Sequence, residues 1–172
     1  MSYYGSWIPG YPTCVFDGAL TVVGGSSNTY QSYKDTWDIR RMFSSPCTIT
    51  FLTNSYGNNK ASVSIKVKLE ESLASGNVVH FVLWEDKVAN NYRFVERRMA
   101  TPANLTISSP NEEQIFKAEF DLNPAWNVNQ LGVTVMVQNQ TGKTVHQARA
   151  VKLGEGVGVT PASFGRIKAA YR

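Results

Sequence analysis

The residues able to do chemistry in this chain of 172 are few and scattered. Two cysteines, Cys14 and Cys47, lie too far apart for a Cys-x-x-C pair, and nothing cationic flanks them to lower a thiol pKa. Three readings remain: a redox pair, a structural disulfide, or two buried thiols acting as small apolar residues. A disulfide closing that loop would stabilise the fold by ~3–4 kcal/mol on the chain-entropy account. The uncharged surroundings favour the buried thiols. His80 and His146 fall in predicted strands, and neither has a second His or Cys at ligand spacing, so strand-face histidines are expected rather than metal ligands. Glu85 and Asp86 stand beside Trp84, but neighbours on a strand point to opposite faces and cannot act as a carboxylate pair. The run GEGVG at 154–158 opens no long helix and fails the context a dinucleotide site needs. No catalytic residue, metal or cofactor is expected, and the chain reads as a non-enzyme.

The elements that would position these residues are mostly strands. Thr13–Gly18 and Ala19–Gly25 read as a hairpin turned at Asp17-Gly18. A helix follows over 26–43, capped by Ser26, Ser27 or Asn28. Tyr30, Tyr33, Trp37, Ile39, Met42 and Phe43 give it a broad apolar face at helical spacing. From Cys47 to Leu153 the pattern alternates with period two. Ala61, Val63, Ile65, Val67 and Leu69 form the clearest run, and Phe116–Leu122 and Leu131–Val137 repeat it. Further strands are expected at 48–54, 78–86, 92–98 and 145–153. Turn signals at Tyr56–Asn59, Ser75–Asn77, Asn123-Pro124 and Thr141–Lys143 separate them. About seven short antiparallel strands at this spacing predict an immunoglobulin-like or fibronectin-like β-sandwich. The expected division is 1–45 for the hairpin and helix, 46–153 for the sandwich, and 154–172 for a flexible tail with a short basic helix. The sandwich carries its own alternating face and is expected to fold without the first 45 residues.

Composition narrows the function classes. The apolar share of 42% with 12% aromatics is that of a globular chain, and charged residues make up only 17%. Net charge is +4, but the best basic cluster, Arg93, Arg97 and Arg98, has Glu96 inside it and reads as a solvated strand face. A nucleic-acid surface would need a denser stripe, so none is expected. No run of eighteen apolar residues suggests a membrane span, and MSYYGSWIPGYP lacks the pattern of an export signal.

The string Tyr11–Gly18, then Val22-Val23-Gly24-Gly25, a Tyr-rich helix and Ser45–Ile49, resembles a bacterial family of outer-membrane and secreted proteins. Its members join a thioredoxin-like domain to a C-terminal immunoglobulin-like sandwich. The runs LWEDKV at 83–88 and VERRM at 95–99 fall where such sandwiches carry an acidic pair followed by a basic strand. The resemblance implies that residues 1–45 are the C-terminal half of a thioredoxin-like domain and that Pro12 is its cis-proline. It also implies that Tyr11, Pro12 and Thr13 form the loop that touches bound peptide, and that the protein is secreted or belongs to the cell envelope. One departure matters: upstream of Tyr11 there is room for neither the first βαβ unit nor Cys-x-x-C.

The expected function is therefore a non-catalytic interaction or structural module, working through a protein partner or as a homodimer. One alternative is a fragment of a thiol-disulfide oxidoreductase-like protein whose redox half lies outside this chain. Another is a carbohydrate-binding sandwich using Tyr3, Tyr4, Trp7 or Trp126. The absent redox pair generates the first prediction. In an insulin-reduction assay with dithiothreitol, turbidity should rise no faster than in the protein-free blank; clear turnover would restore the oxidoreductase reading.

Overall fold

Residues 10, 12–89 and 92–156 are described by the structure, a computed structural model. Its ten strands are β1 (Thr13–Phe16), β2 (Leu20–Val23), β3 (Cys47–Gly57), β4 (Lys60–Leu69), β5 (Asn77–Glu85), β6 (Val95–Met99), β7 (Ala103–Asn104), β8 (Glu113–Asp121), β9 (Leu131–Asn139) and β10 (Val145–Lys152). The helix α1 spans Thr29–Arg40. All pairing is antiparallel, in three sheets: β1-β2, β3-β4-β8 and β10-β9-β5-β6, with the short β7 also bound to β5.

The two larger sheets bury the alternating residues against each other. β4 contributes Ala61, Val63, Ile65, Val67 and Leu69, and β8 contributes Phe116, Ala118 and Phe120. The facing sheet answers with Val79, Phe81 and Leu83 from β5 and Leu131, Val133, Val135 and Val137 from β9. Each such side chain taken wholly from water contributes about 1.5–3 kcal/mol, which makes this core the main source of stability. The sandwich is thus the mainly β, antiparallel architecture that the alternation predicts. The two-residue turn between β3 and β4 places Asn58 and Asn59 at φ 50° and 56°, the left-handed pair that matches the twist of a tight hairpin.

The facing edges of the two sheets are tied by side chains of β10. Arg149 Nη1 donates to the Ile49 carbonyl at 2.8 Å, and Gln147 Nε2 donates to the Cys47 carbonyl at 3.3 Å. From β3, Asn54 Nδ2 donates to the Lys152 carbonyl at 2.6 Å. These bonds occupy carbonyls that an open edge would present to another chain. On the opposite side the edge is broken instead. β6 and β7 line the two halves of β5 in turn, with Pro102 between them, as suits an edge position.

On the outer face of β5, Trp84 lies over Gly132 of β9, donates from Nε1 to Thr134 Oγ1 at 3.0 Å and meets Phe94 edge-on at 5.1 Å. A Cβ on Gly132 would sit 2.2 Å from Trp84 Cζ2 and 2.7 Å from the Val151 carbonyl. Gly132→Ala should therefore lower stability by roughly 1–3 kcal/mol, the usual cost of overpacking. A denaturant melt followed by circular dichroism, with its slope unchanged and its midpoint lowered, checks this.

Candidate functional site

The β1-β2 hairpin and α1 form a small ββα unit that meets the sandwich at the β9–β10 turn and the start of β10. The hairpin turn places Asp17 and Gly18 at φ 47° and 62° and sets its tip against the β9–β10 turn. There the Asp17 carbonyl accepts from Val145 N at 2.7 Å, and a Cβ on Gly18 would fall 1.7 Å from the Lys143 carbonyl. Only glycine fits that approach. Arg40 of α1 reaches the same place, its Nε 3.3 Å from Asp17 Oδ2.

Beyond this joint the unit is largely uncovered. The helix touches the hairpin through its Thr29, Tyr33, Thr36 and Arg40 side, with Tyr33 edge-on to Phe16 at 5.9 Å. None of its residues is buried. The apolar stripe expected of the helix is therefore mostly left uncovered. Of that stripe only Tyr33 turns inward, while Tyr30 (77% exposed), Trp37, Ile39, Met42 (76% exposed) and Phe43 face outward. A two-stranded hairpin is too narrow to cover more than one side of a helix. Arginines stack on two of the exposed rings, Arg41 on Trp37 and Arg40 on Phe43, each 4.8 Å from the ring centre. The expected cap also differs. Asn28 holds the cap position without a side-chain bond, and Thr29 Oγ1 instead donates to the Ser26 carbonyl at 2.8 Å.

Of the expected peptide-touching loop, Tyr11 lies outside the described residues, as do Tyr3, Tyr4, Trp7 and the tail from 157 onward. Pro12 is exposed, and its carbonyl accepts from Gly24 N at 2.9 Å. Thr13 Oγ1 donates to the Gly10 carbonyl at 2.5 Å. The loop thus lies at the end of the hairpin, level with Gly24 and Gly25. Cys14 and Cys47 are free thiols. Cys14 pairs with Val22 in the hairpin, whereas Cys47 is buried at the start of β3. Burial pushes the Cys47 thiol up to about 11, against a smaller opposing effect of Ser45, which leaves it protonated and unreactive at neutral pH.

Glu85 and Asp86 are both buried, and each takes a separate arginine. Glu85 Oε2 lies 2.7 Å from Arg97 Nη2, and its Oε1 accepts from Asn127 N at 2.9 Å. Asp86 is hydrogen-bonded by Arg93 Nε, which holds its carboxyl below the ordinary 3.8. The basic cluster is therefore not simply a solvated face. Arg93 and Arg97 neutralise buried carboxylates, and Arg98 Nε donates to the Asp121 carbonyl at 3.1 Å. Sequence reading missed this because the pairs form across a hairpin with irregular register between Leu83 and Trp84. The opposite charges of LWEDKV and VERRM were the available signal. Among the described residues, no group of three or more His, Cys, Asp or Glu side chains is placed to hold a metal.

No protein-family model matches the chain, and no curated protein matches it. Its fold does match solved structures, consistent with the class of antiparallel β-sandwich proteins. One is HBP35 of Porphyromonas gingivalis, with a TM-score of 0.68 at 12% identity over 89% of this chain and 56% of that one. The chain thus spans little more than half the length of HBP35. An 89% match is more than the sandwich alone can supply, so the likeness takes in the ββα unit. Another is a domain of the outer membrane lipoprotein Omp28 from the same organism, with a TM-score of 0.50 at 16% identity over 63% of this chain and 88% of that domain. At such identities the likeness is one of fold.

The two histidines set an acid limit on this arrangement. His146, at the bulge in β10, has Nε2 3.0 Å from Asn77 Oδ1, and His80 is buried in β5. Burial lowers both pKa values from 6.5, with Lys143 adding to the effect on His80. Each imidazole therefore stays neutral in the fold at a pH where the unfolded chain already binds a proton. This stabilisation is complete above about pH 6.5 and is lost as the pH falls through the folded values. Denaturation midpoints should accordingly fall between about pH 7.5 and about pH 5. His146→Gln, which keeps a donor toward Asn77 but cannot titrate, should flatten the slope.

Proposed function

We propose that the chain is a non-catalytic interaction module of a bacterial envelope or secreted protein, and that its partner sits on the uncovered face of the ββα unit. The observation that carries this reading is α1, a three-turn helix without one buried residue that presents Tyr30, Trp37 and Ile39 to solvent and is followed at once by the exposed Met42 and Phe43. A surface helix ordinarily turns such residues toward a core, and exposed apolar side chains rimmed by charge suit a contact surface. The arginines stacked on Trp37 and Phe43, with Asp38 3.1 Å from Arg41, supply that rim. The two-stranded sheet adds a second motive. Among the described residues β1 and β2 pair only with each other, and an open edge invites a further strand. The thioredoxin-like resemblance of residues 11–49 agrees, because in a complete domain of that kind further elements cover this ground. The solved envelope lipoprotein domain of similar fold supports the location.

A second copy of the chain is the occupant we favour, since a two-fold pairing lets one apolar face cover its equal. Light scattering at micromolar concentration should give a dimer, and Trp37→Asp combined with Tyr30→Asp should return it to monomer without lowering the melting temperature. A strict monomer with segment 12–43 protected from hydrogen exchange would mean that the unit is held by the sandwich alone. A monomer with that segment unprotected would point to a different protein as the partner.

A further inference from the structure

At one end of the sandwich, remote from α1 in sequence and built by other elements, lies a cavity of about 350 Å³. Its walls are the β3–β4 turn (Tyr56 to Asn59), the segment following β8 (Leu122, Asn123, Pro124, Trp126, Val128) and Leu131 at the start of β9. The size falls at the small end of the roughly 300–1,000 Å³ range of ligand sites. Two aromatic rings and three carboxamides converge there, and no ionisable acid or base lines the walls.

The walls are fixed in place. The Asn59 carbonyl accepts from Leu122 N at 2.7 Å, which ties the turn to the opposite segment. Asn123 Oδ1 accepts from Ala125 N at 2.9 Å, and Trp126 N donates to the Asn123 carbonyl at 3.0 Å. Arg97 and Arg98 lie against the Trp126 ring, their guanidinium carbons 5.7 and 5.8 Å from its centre, and Arg97 is itself anchored by Glu85. Tyr56 packs where a Cβ on Gly154 would come within 2.8 Å of its ring, and it remains 45% exposed. A site so braced orders few side chains when it binds, which keeps the entropic cost low.

The chemistry of the walls selects a ligand class. A pyranose ring offers a face of C–H groups made slightly positive by neighbouring oxygens, and a rim of hydroxyls that both donate and accept. Aromatic faces are negative and attract the first. A carboxamide carries a donor and an acceptor side by side and suits the second. A carboxylated or phosphorylated ligand would need a charged partner, and the lining provides none. We propose that this cavity is a carbohydrate site for one neutral pyranose residue of a glycan, with Trp126 and Tyr56 as stacking surfaces and Asn58, Asn59 and Asn123 as hydroxyl partners. The site is independent of the apolar face on α1.

A glycan array followed by titration of the whole chain, read by tryptophan fluorescence, tests it. Neutral hexose or N-acetylhexosamine glycans should bind. Trp126→Ala should weaken binding about tenfold, the effect of losing one aromatic contact. Because Trp126 also packs against the arginines, a second variant keeps the test decisive. Asn58→Gly with Asn59→Gly removes two carboxamides while glycine accepts the left-handed turn, and it should weaken binding with the melting temperature held. Trp37→Asp should leave binding unchanged. No binding to any neutral glycan, binding confined to acidic glycans, or binding indifferent to both cavity variants would overturn the proposal.

Discussion

One backbone hydrogen bond and one glycine decide how the two parts of this molecule meet. Val145 N donates to the Asp17 carbonyl, and Gly18 lies against Lys143 where no other side chain could be accommodated. A two-stranded hairpin is marginal in water, and it gains persistence only from something larger. Here that support comes from the end of β10, where the ladder is already interrupted between Val145 and Gln147. β10 is an edge strand, and the hairpin tip uses one of its outward backbone donors. Arg40 of α1 reaches the same joint through Asp17, so hairpin and helix are set against the sandwich together.

The sandwich can serve as a base because its own requirements are met internally. Alternating residues fill the space between the sheets, and side chains of β10 occupy carbonyls along β3. The buried carboxylate of Glu85 would be costly alone. Arg97 and the Asn127 amide complete its partners, and removing one side of such a pair typically costs about 3–5 kcal/mol. That same contact fixes the segment bearing Trp126. Packing and the end cavity are thereby linked through one ion pair.

The strands were legible in the sequence because burial on one side of a sheet imposes a period of two, and β4 shows it without interruption from Ala61 to Leu69. The turns at Asp17-Gly18 and Asn58-Asn59 were legible for a similar reason, since left-handed backbone favours these residue types. β7 was not, because a two-residue pairing leaves no period to detect. What covers the apolar residues of α1 was not legible at all. An apolar stripe says that a helix has a face to cover, but not that the cover lies in the same chain. Arg93 and Arg97 reading Asp86 and Glu85 depended on a register that only the folded hairpin determines. Of the cavity residues, Trp126 was visible as an aromatic of possible use, while the carboxamides facing it come from a turn far away in sequence.

The three tryptophans among the described residues occupy three different surroundings. Trp84 is buried, with its indole nitrogen bonded to Thr134; Trp126 is half-buried beneath two guanidinium groups; Trp37 stands in solvent with Arg41 against its ring. The outer face of β5, the end cavity and the exposed helix thus each hold an indole whose emission depends on its own polarity. Among these three a water-soluble quencher reaches Trp37 first and Trp84 last, so each reports optically on its own region without any dye attached.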